Sequence, residues 1–247
     1  MRRKIPEYDL EASSYDKSRF YSRLGKHIDR MHKRIVESLL NSSGKTLLDV
    51  GVGTGRFATW LAERDFEVVG VDISREMLKK AKKKVSNSKN IHLVLGDANF
   101  LPFRKRSFDN CICINVINHI PMLDKFLKEA SYVIKPMGSF IVNFPNLRSP
   151  YLPIAIIVNL RKRALFKREI FSRWFTPEEI SHRISSAGFN IKNIRGCMIA
   201  SPIPLGNRLL KIVRIINFLF ENSKFKLFSG SLFIKAQRAA KTSFTAS

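Results

Sequence analysis

Cysteine is scarce in this sequence, which contains three among 247 residues. Cys111 and Cys113 alternate with isoleucine, a pattern typical of a buried strand, and Cys197 stands alone. Disulfide scaffolds need an even and larger number of cysteines, and the spacing here is not that of a zinc site. The sequence therefore excludes a disulfide framework, predicts no metal site and indicates a reducing, cytoplasmic compartment.

Long hydrophobic runs are also missing. The longest aliphatic stretch, residues 151–160 (YLPIAIIVNL), is about half the length that a membrane-spanning helix requires. The opening segment MRRKIPEYDL is basic but has no apolar stretch behind it, unlike a signal peptide. We expect a protein that has no signal peptide and does not cross a membrane.

Acidic residues are few, above all in the C-terminal part. The chain holds 44 basic against 20 acidic residues, a net charge of +24, and residues 148–247 hold 18 basic and only 4 acidic ones. Such a surface attracts phosphates, either those of nucleic acid or those of anionic lipid headgroups. Alternatively, the charge mainly keeps the protein soluble.

A regular alternation of strands and helices runs through the first 145 residues. Segments with helical periodicity separate five short apolar strands, predicted at 46–50, 67–72, 91–97, 108–116 and 139–144. This alternation predicts an α/β fold, a doubly wound parallel sheet with helices on both faces. An N-terminal helix over residues 20–42 precedes it.

The alternation changes after the fifth strand. A helix is predicted at 176–189, with Thr176 as its cap, and strands at 190–197 and 229–239. Residues 206–222 predict an apolar helix with scattered cations. That helix has two interpretations, a lid buried over an active site or a cationic amphipathic helix on a membrane surface.

The first predicted strand ends in LLDVGVGTGRF, residues 47–57, where glycines occupy alternate positions. Glycine loses more conformational freedom on folding than any other residue, so this cluster indicates a backbone that must approach something closely. Ligands of open parallel sheets bind beyond the carboxyl ends of the strands, where a helix N-terminus offers N–H groups to an anion. Gly51, Gly53 and Gly55 therefore predict a ligand site.

Polar residues follow the next strands at the same expected edge. Asp72 ends the second strand, about 20 residues beyond the glycine loop, where an acid can accept both hydroxyls of a ribose. Asp97 ends the third strand and Asn115 the fourth. Because parallel strands end at one edge of the sheet, these side chains should face the glycine loop.

The glycine spacing differs from the dinucleotide fingerprint G-x-G-x-x-G. Its D-x-G-x-G-x-G arrangement, which begins at Asp49, resembles the class I S-adenosylmethionine-dependent methyltransferases. With VVGVDISREML, GDANFLPFRKRSFDNCICINVINHI and LKEASYVIKPMGSFIV, it resembles the subfamily that includes ubiquinone/menaquinone-type C-methyltransferases. The resemblance covers residues 44–145 and continues weakly in FTPEEISHRISSAGF. It implies a Rossmann-like sheet of seven strands whose last strand is antiparallel.

The resemblance also implies roles for single residues around S-adenosylmethionine. The three glycines would approach its methionine part, Asp49 would hold its amino group, and Asn115 would lie near its sulfonium. Asp72 would bind the ribose hydroxyls and Ile73 would pack on the adenine. The remaining implied contacts are Asp97 to the adenine amino group, the Ala98 backbone to an adenine ring nitrogen, and Tyr15, in YDKSRF, closing over the cofactor.

Methyl transfer from a sulfonium needs proximity, in-line alignment and sometimes a base. His119, in NVINHI after the fourth strand, is the candidate base; alternatively, it orients its loop through backbone hydrogen bonds. N-methyltransferases acting on adenine or glutamine usually carry Asn/Asp-Pro-Pro-aromatic at this place. Here the segment reads Asn115-Val116-Ile117-Asn118, which disfavours that chemistry.

The acceptor is expected to meet residues 148–174 and 198–228, which are both aliphatic and basic. An apolar pocket with a basic rim favours a small-molecule acceptor, lipid or isoprenoid-like, and peripheral contact with an anionic membrane. The alternatives are an RNA methyltransferase that uses the basic C-terminal face and a non-catalytic cofactor-binding regulator. The oligomeric state stays open. We expect one domain, divided into an N-terminal helical lid (1–43), a cofactor-binding core (44–145) and substrate-side insertions with the last strands (146–247).

Overall fold

The computed structural model describes residues 7–40, 44–150, 172–197 and 223–240, and the single positions 152, 153, 156 and 215. Seven strands form one sheet: β1 (Thr46–Val50), β2 (Glu67–Asp72), β3 (Ile91–Leu95), β4 (Phe108–Cys113), β5 (Ile134–Pro145), β6 (Phe189–Cys197) and β7 (Ser231–Arg238). Their order is β3-β2-β1-β4-β5-β7-β6. The pairs from β3 to β5 are parallel, and β7 runs antiparallel to both β5 and β6. The predicted doubly wound, Rossmann-like sheet with an antiparallel last strand is confirmed.

The described helices are α1 (Glu7–Glu11), α2 (Tyr15–Phe20), α3 (Arg23–Leu39), α4 (Arg56–Ala62), α5 (Arg75–Lys84), α6 (Leu123–Val133) and α7 (Pro177–Ser186), with 3-10 turns at Ile117–His119 and Lys224–Phe228. Side-chain caps set several of their starts. Ser74 and Thr176 cap α5 and α7 as their sequences predict, and Ser22 accepts from Gly25 N at 3.0 Å to begin α3. The predicted helix 20–42 is therefore shorter. Within the described ranges, none of the helices has the length and apolar character needed to span a bilayer.

The core lies on both faces of the sheet because the central strands are apolar on both sides. Leu47 and Leu48 of β1 are both fully buried. Successive strand residues point to opposite faces, so Leu48 belongs to the same buried cluster as Phe126 of α6, while Leu47 belongs to the cluster that contains Ile35 of α3. The sheet is thus covered by helices on each side, as a mostly parallel sheet requires.

The strand registers align the carboxyl ends at one edge. Asp49 pairs with Gly70 of β2 and with Ile112 of β4. A Cβ at Gly70 would lie 2.6 Å from a methyl carbon of Val52, so the bare glycine lets the loop after β1 pack down on β2. The glycine loop and Asp72 are therefore held on the same edge of the sheet.

Two predicted strands are too long at this edge. β3 ends at Leu95, and β4 ends at Cys113, because Asn115 has a φ of 62° that ends the extended backbone. β5 instead begins earlier than predicted, at Ile134, which pairs with Phe108 before the register shifts.

Several predictions fall on other parts of the chain. The helix at 206–222 and most of residues 151–171 lie outside the described residues. The division of the chain at residues 43 and 145 stays a prediction.

Candidate functional site

The loop after β1 has a left-handed backbone at each of its glycines, with φ of 74° at Gly51, 55° at Gly53 and 81° at Gly55. L-residues with side chains rarely adopt this conformation. A Cβ at Gly51 would lie 2.3 Å from a methyl carbon of Val116, whereas a Cβ at Gly53 would meet only a carbonyl oxygen 3.9 Å away. The backbone at Gly53 therefore faces open space that a ligand can enter.

Asp72 joins this loop to the end of β2. Its Oδ2 accepts from Gly53 N at 2.8 Å and its Oδ1 accepts from Ser74 N at 2.8 Å. Burial raises the pKa of Asp72, and Asp9 adds to that rise. Hydrogen bonds from the backbone N–H groups of Ser74, Gly53 and Ile73 oppose it. Each carboxylate oxygen retains acceptor capacity, so the same group can bind a vicinal diol.

Asp49 is a buried carboxylate, 3% exposed, behind the glycine loop. Burial raises its pKa to about 7; Arg56 opposes the rise and Asp72 reinforces it. Among the described residues, none donates a hydrogen bond that affects the pKa of the Asp49 carboxylate. A buried anion of this kind calls for a cationic partner, and an ammonium group is one that fits.

The ends of β2 and β3 add an apolar surface and a third acid. Ile73 is 53% exposed, an unusual state for an isoleucine directly after a core strand. Asp97 Oδ1 accepts from Asn99 N at 2.8 Å and from Asn99 Nδ2 at 3.0 Å, which ties the acid to its own turn. Ala98 is partly buried and packs against the core. These three residues follow the carboxyl ends of β2 and β3.

Asn115, after β4, forms a reciprocal pair with Asn143 of β5. Asn115 N donates to Asn143 Oδ1 at 2.6 Å, and Asn143 Nδ2 donates to Asn115 Oδ1 at 2.8 Å. Asn143 also donates to Ser231 Oγ at 3.2 Å. The side chain of Asn115 therefore stabilises its own left-handed turn, and its partner Asn143 was not among the predicted site residues.

His119 ends the 3-10 turn that follows. Asn118 Nδ2 lies 2.8 Å from His119 Nε2 and 3.3 Å from Ser172 Oγ. Because an amide nitrogen only donates, Nε2 accepts, and the imidazole proton lies on Nδ1. Arg173 N donates to Asn118 O at 2.8 Å, so this turn is joined to the segment before α7.

The N-terminal helices lie over this edge. The Tyr15 ring packs against Phe20, with centroids 6.1 Å apart, and under the Arg19 guanidinium at 4.5 Å. Tyr8 is the residue whose ring meets His119, edge-on, with centroids 5.5 Å apart. Tyr15 was among the predicted site residues and Tyr8 was not, although both stand before an aspartate.

Comparison with known proteins identifies the family to which this chain belongs. A methyltransferase-domain family matches residues 48–142. The ubiquinone/menaquinone biosynthesis C-methyltransferase UbiE of Rickettsia bellii (strain OSU 85-389) is 31% identical over 188 residues, which is 65% of this chain and 75% of that protein. This chain belongs to the class I S-adenosylmethionine-dependent methyltransferases.

Other relatives of this methyltransferase match over shorter stretches. The methyltransferase GfsG of Streptomyces halstedii is 33% identical over 118 residues, 46% of this chain. That match covers 42% of GfsG, and the match to UbiE of Rickettsia massiliae covers 60% of its length. The chain thus spans about half the length of several curated relatives that it matches.

A solved structure agrees with the fold over nearly the whole methyltransferase. A Thermotoga maritima protein described as a S-adenosylmethionine-dependent methyltransferase, possibly acting on histamine nitrogen, has a TM-score of 0.68 at 22% identity. The alignment covers 94% of this chain and 99% of that one. At this identity the likeness concerns the fold alone.

The predicted site residues of this methyltransferase offer three kinds of group at one edge of the sheet. Asp49 offers a buried negative charge to an ammonium, Asp72 offers acceptors to a diol, and Ile73 offers an apolar face to a ring.

Among the described residues there is no cluster of three metal-ligating side chains. The cysteines at 111, 113 and 197 are buried, and burial raises the pKa of Cys111 and Cys113.

Proposed function

We propose that this methyltransferase transfers a methyl group from S-adenosylmethionine, by in-line displacement, to a small-molecule acceptor that is lipid or isoprenoid-like. The observation that carries the proposal is Asp49, a buried carboxylate without a hydrogen-bond donor among the described residues, next to a glycine loop open at Gly53. Burying a carboxylate that receives no hydrogen bond is costly, so a cationic ligand at this place offsets that cost.

The proposed cofactor contacts follow the strand ends. Asp49 and the glycine loop hold the methionine part, Asp72 accepts from the ribose hydroxyls, and Ile73 packs on the adenine. Asp97 is proposed to bind the adenine amino group, and the Ala98 backbone an adenine ring nitrogen. Asn115 is proposed to lie near the sulfonium at the methionine end. Tyr15 is proposed to belong to a segment that closes over the cofactor.

The protein's own contribution to the reaction is mainly positioning. When bound, S-adenosylmethionine supplies an electrophilic methyl group on sulfur, so the acceptor needs alignment more than activation. The residues proposed to hold the cofactor, Asp49, Asp72 and Ile73, would fix the position of that methyl group relative to the acceptor. The Asn118 amide on His119 Nε2 supports an orienting role for His119 more than the role of base.

Several features support an apolar acceptor with a basic surround. Met122 and Leu147 are exposed apolar side chains, 49% and 43% accessible, near the turn after β4 and the end of β5. Arg148 and Arg173 lie close to the same loops, although each pairs with a glutamate of α7. The Rickettsia relatives are named for ubiquinone and menaquinone biosynthesis, which supports an isoprenoid-like acceptor. Peripheral contact with an anionic membrane and a cytoplasmic location are part of this proposal.

The test is calorimetric titration with S-adenosylmethionine, S-adenosylhomocysteine and NADH. We expect wild-type protein to bind the first two, and Asp72→Ala to lose about 100-fold in affinity, because a buried charged hydrogen-bond acceptor is worth about 3 kcal/mol. Asp124→Ala is the matched control, since Asp124 pairs with Arg183 on α7, away from the glycine loop. Preference for NADH, or equal binding by Asp72→Ala, would contradict the proposal.

Transfer of labelled methyl to lipid extracts and to RNA then distinguishes the acceptors. Label in the lipid fraction supports the proposal, and label in RNA supports the second candidate, which the basic excess of residues 148–247 favours. Cofactor binding without transfer to any acceptor indicates the non-catalytic regulator.

A further inference from the structure

The sequence contains the pair Tyr-Asp twice near its start, at 8–9 and 15–16. The two aspartates bind different loops on the cofactor side, by which we mean the loops after β1 and β2. Asp16 Oδ1 accepts from Thr54 Oγ1, within the glycine loop, at 2.7 Å. Asp9 Oδ1 accepts from Ser74 Oγ and from Glu76 N, the latter at 3.1 Å. Helices α1 and α2 are therefore attached to the loops after β2 and β1.

The attachment of Asp9 is continuous with Asp72. Ser74 is fully buried, and its N–H donates to Asp72 Oδ1 at 2.8 Å while its hydroxyl donates to Asp9. The same hydroxyl accepts from Met77 N at 3.1 Å as the cap of α5. One buried serine thus connects α1 to the carboxylate proposed to hold the ribose.

Tyr8 precedes Asp9 in sequence and contacts the turn after β4, on the proposed acceptor side of the site. Its ring meets the His119 imidazole edge-on, with centroids 5.5 Å apart and an interplanar angle of 75°. The loops that carry Ser74 and His119 follow β2 and β4, which flank β1 on opposite sides. Helix α1 therefore spans the edge of the sheet from the ribose side to the side of His119.

We propose that Tyr8 is a positioning residue for His119, held in place by the binding of Asp9 at Ser74. The inference rests on the proposed function, because it takes His119 to face the acceptor. Edge-to-face aromatic contacts have a preferred geometry, so the Tyr8 ring restricts the orientation of the imidazole. Asp72 holds the same serine, and this chain of contacts couples the cofactor side to the acceptor side.

Proton NMR of the histidine rings tests the contact without any ligand. The His119 Hε1 resonance is assigned as the one missing from His119→Gln. We expect Tyr8→Leu and Asp9→Ala to shift this resonance, because the ring current of Tyr8 is lost or displaced, and Tyr8→Phe to restore the wild-type position. Glu11→Ala is the matched control, since Glu11 lies on α1 but pairs with Arg19 at 3.4 Å.

Calorimetry with S-adenosylhomocysteine separates this inference from the proposed function. We expect Asp9→Ala to weaken binding about tenfold, as the loss of a charged hydrogen bond beside Asp72 implies, and Tyr8→Leu to change it by about twofold at most. Wild-type protein that fails to bind overturns the proposed function, while the NMR result still tests the contact. Normal binding with an unmoved His119 resonance in Tyr8→Leu overturns this inference alone.

Discussion

The two halves of the sheet edge are built by different means. At β1 and β2, backbone N–H groups and carboxylates form the site, and the bond from Gly53 to Asp72 joins residues 19 apart in sequence. At β4 and β5, side-chain amides form the turns, and Asn118 and Asn143 reach partners 54 and 88 residues away. The glycine loop and Asp72, proposed to bind the cofactor, thus lie in short motifs, whereas the turns after β4 and β5, proposed to face the acceptor, depend on contacts between distant segments.

The largest expected effect that distinguishes the two halves is a decrease in the free energy of unfolding when Asn146, at the end of β5, is replaced. Asn146 is fully buried; its Nδ2 donates to Leu227 O at 2.7 Å and to Ser229 O at 2.9 Å, and its Oδ1 accepts from Arg148 N at 3.1 Å. Asn146→Ala should lower the free energy of unfolding by about 3 kcal/mol, because buried backbone groups lose their partner. Urea denaturation measures this change.

If the two halves of the sheet edge are independent, the folded Asn146→Ala protein should bind the cofactor with an affinity near that of wild type. Asn190→Ala is its control, because Asn190 is exposed on β6 and should cost little. A large loss of S-adenosylhomocysteine affinity in Asn146→Ala, measured where the variant is folded, would show that the two halves are not separable.

A smaller effect should separate binding from stability on the cofactor side. Gly53→Ala places a methyl group in open space at a φ of 55°, so we expect a loss of about 1 kcal/mol in unfolding free energy. The same methyl group enters the space of the proposed ligand, and affinity for S-adenosylhomocysteine should fall by about tenfold or more. Titration calorimetry and urea denaturation measure the two changes.

Gly188→Ala is matched to this variant. Gly188 has a φ of 89° in the turn before β6, where an added Cβ would lie 3.5 Å from Ser131 Oγ. It should lose a similar amount of stability and no affinity. Equal affinity losses in both variants would place the effect in the backbone rather than in ligand contact.

The smallest expected effect is a pH dependence that belongs to Asp49. Its pKa of about 7 in the folded protein lies above the ordinary 3.8, so the folded state binds more protons between these values and the free energy of unfolding falls as pH rises through them. A bound ammonium lowers this pKa, so ligand binding releases a proton. Affinity should rise by up to about tenfold between pH 6 and 8 and then level off.

Asp49→Asn should abolish this rise in affinity with pH. The buried His32 has the opposite sign: burial lowers its pKa from 6.5 to about 3, so its contribution to stability is lost as pH falls below 6.5. His32→Leu should remove that acid loss without changing the pH dependence of binding. An unchanged binding profile in Asp49→Asn would assign the titration to another group.

Much of the cofactor half was predictable because its signals are local. Strand alternation, the glycine spacing, and the positions of Asp49 and Asp72 all lie within short segments, and parallel strands necessarily end at one edge. The prediction was poorer at element ends. The strand predicted to reach residue 116 stops at Cys113, since the pairing of Asn115 with Asn143 stabilises a left-handed turn that local propensity does not reveal.

The sequence by itself determined the α/β class and the doubly wound sheet, because periodicity is a short-range property of the chain, and the resemblance of its motifs pointed to the methyltransferase family. Only the tertiary structure decided that Tyr8 meets His119 and that Asp9 binds Ser74, 65 residues away. Such contacts depend on how helices pack over a completed sheet edge, where distances in space bear no fixed relation to distances along the chain.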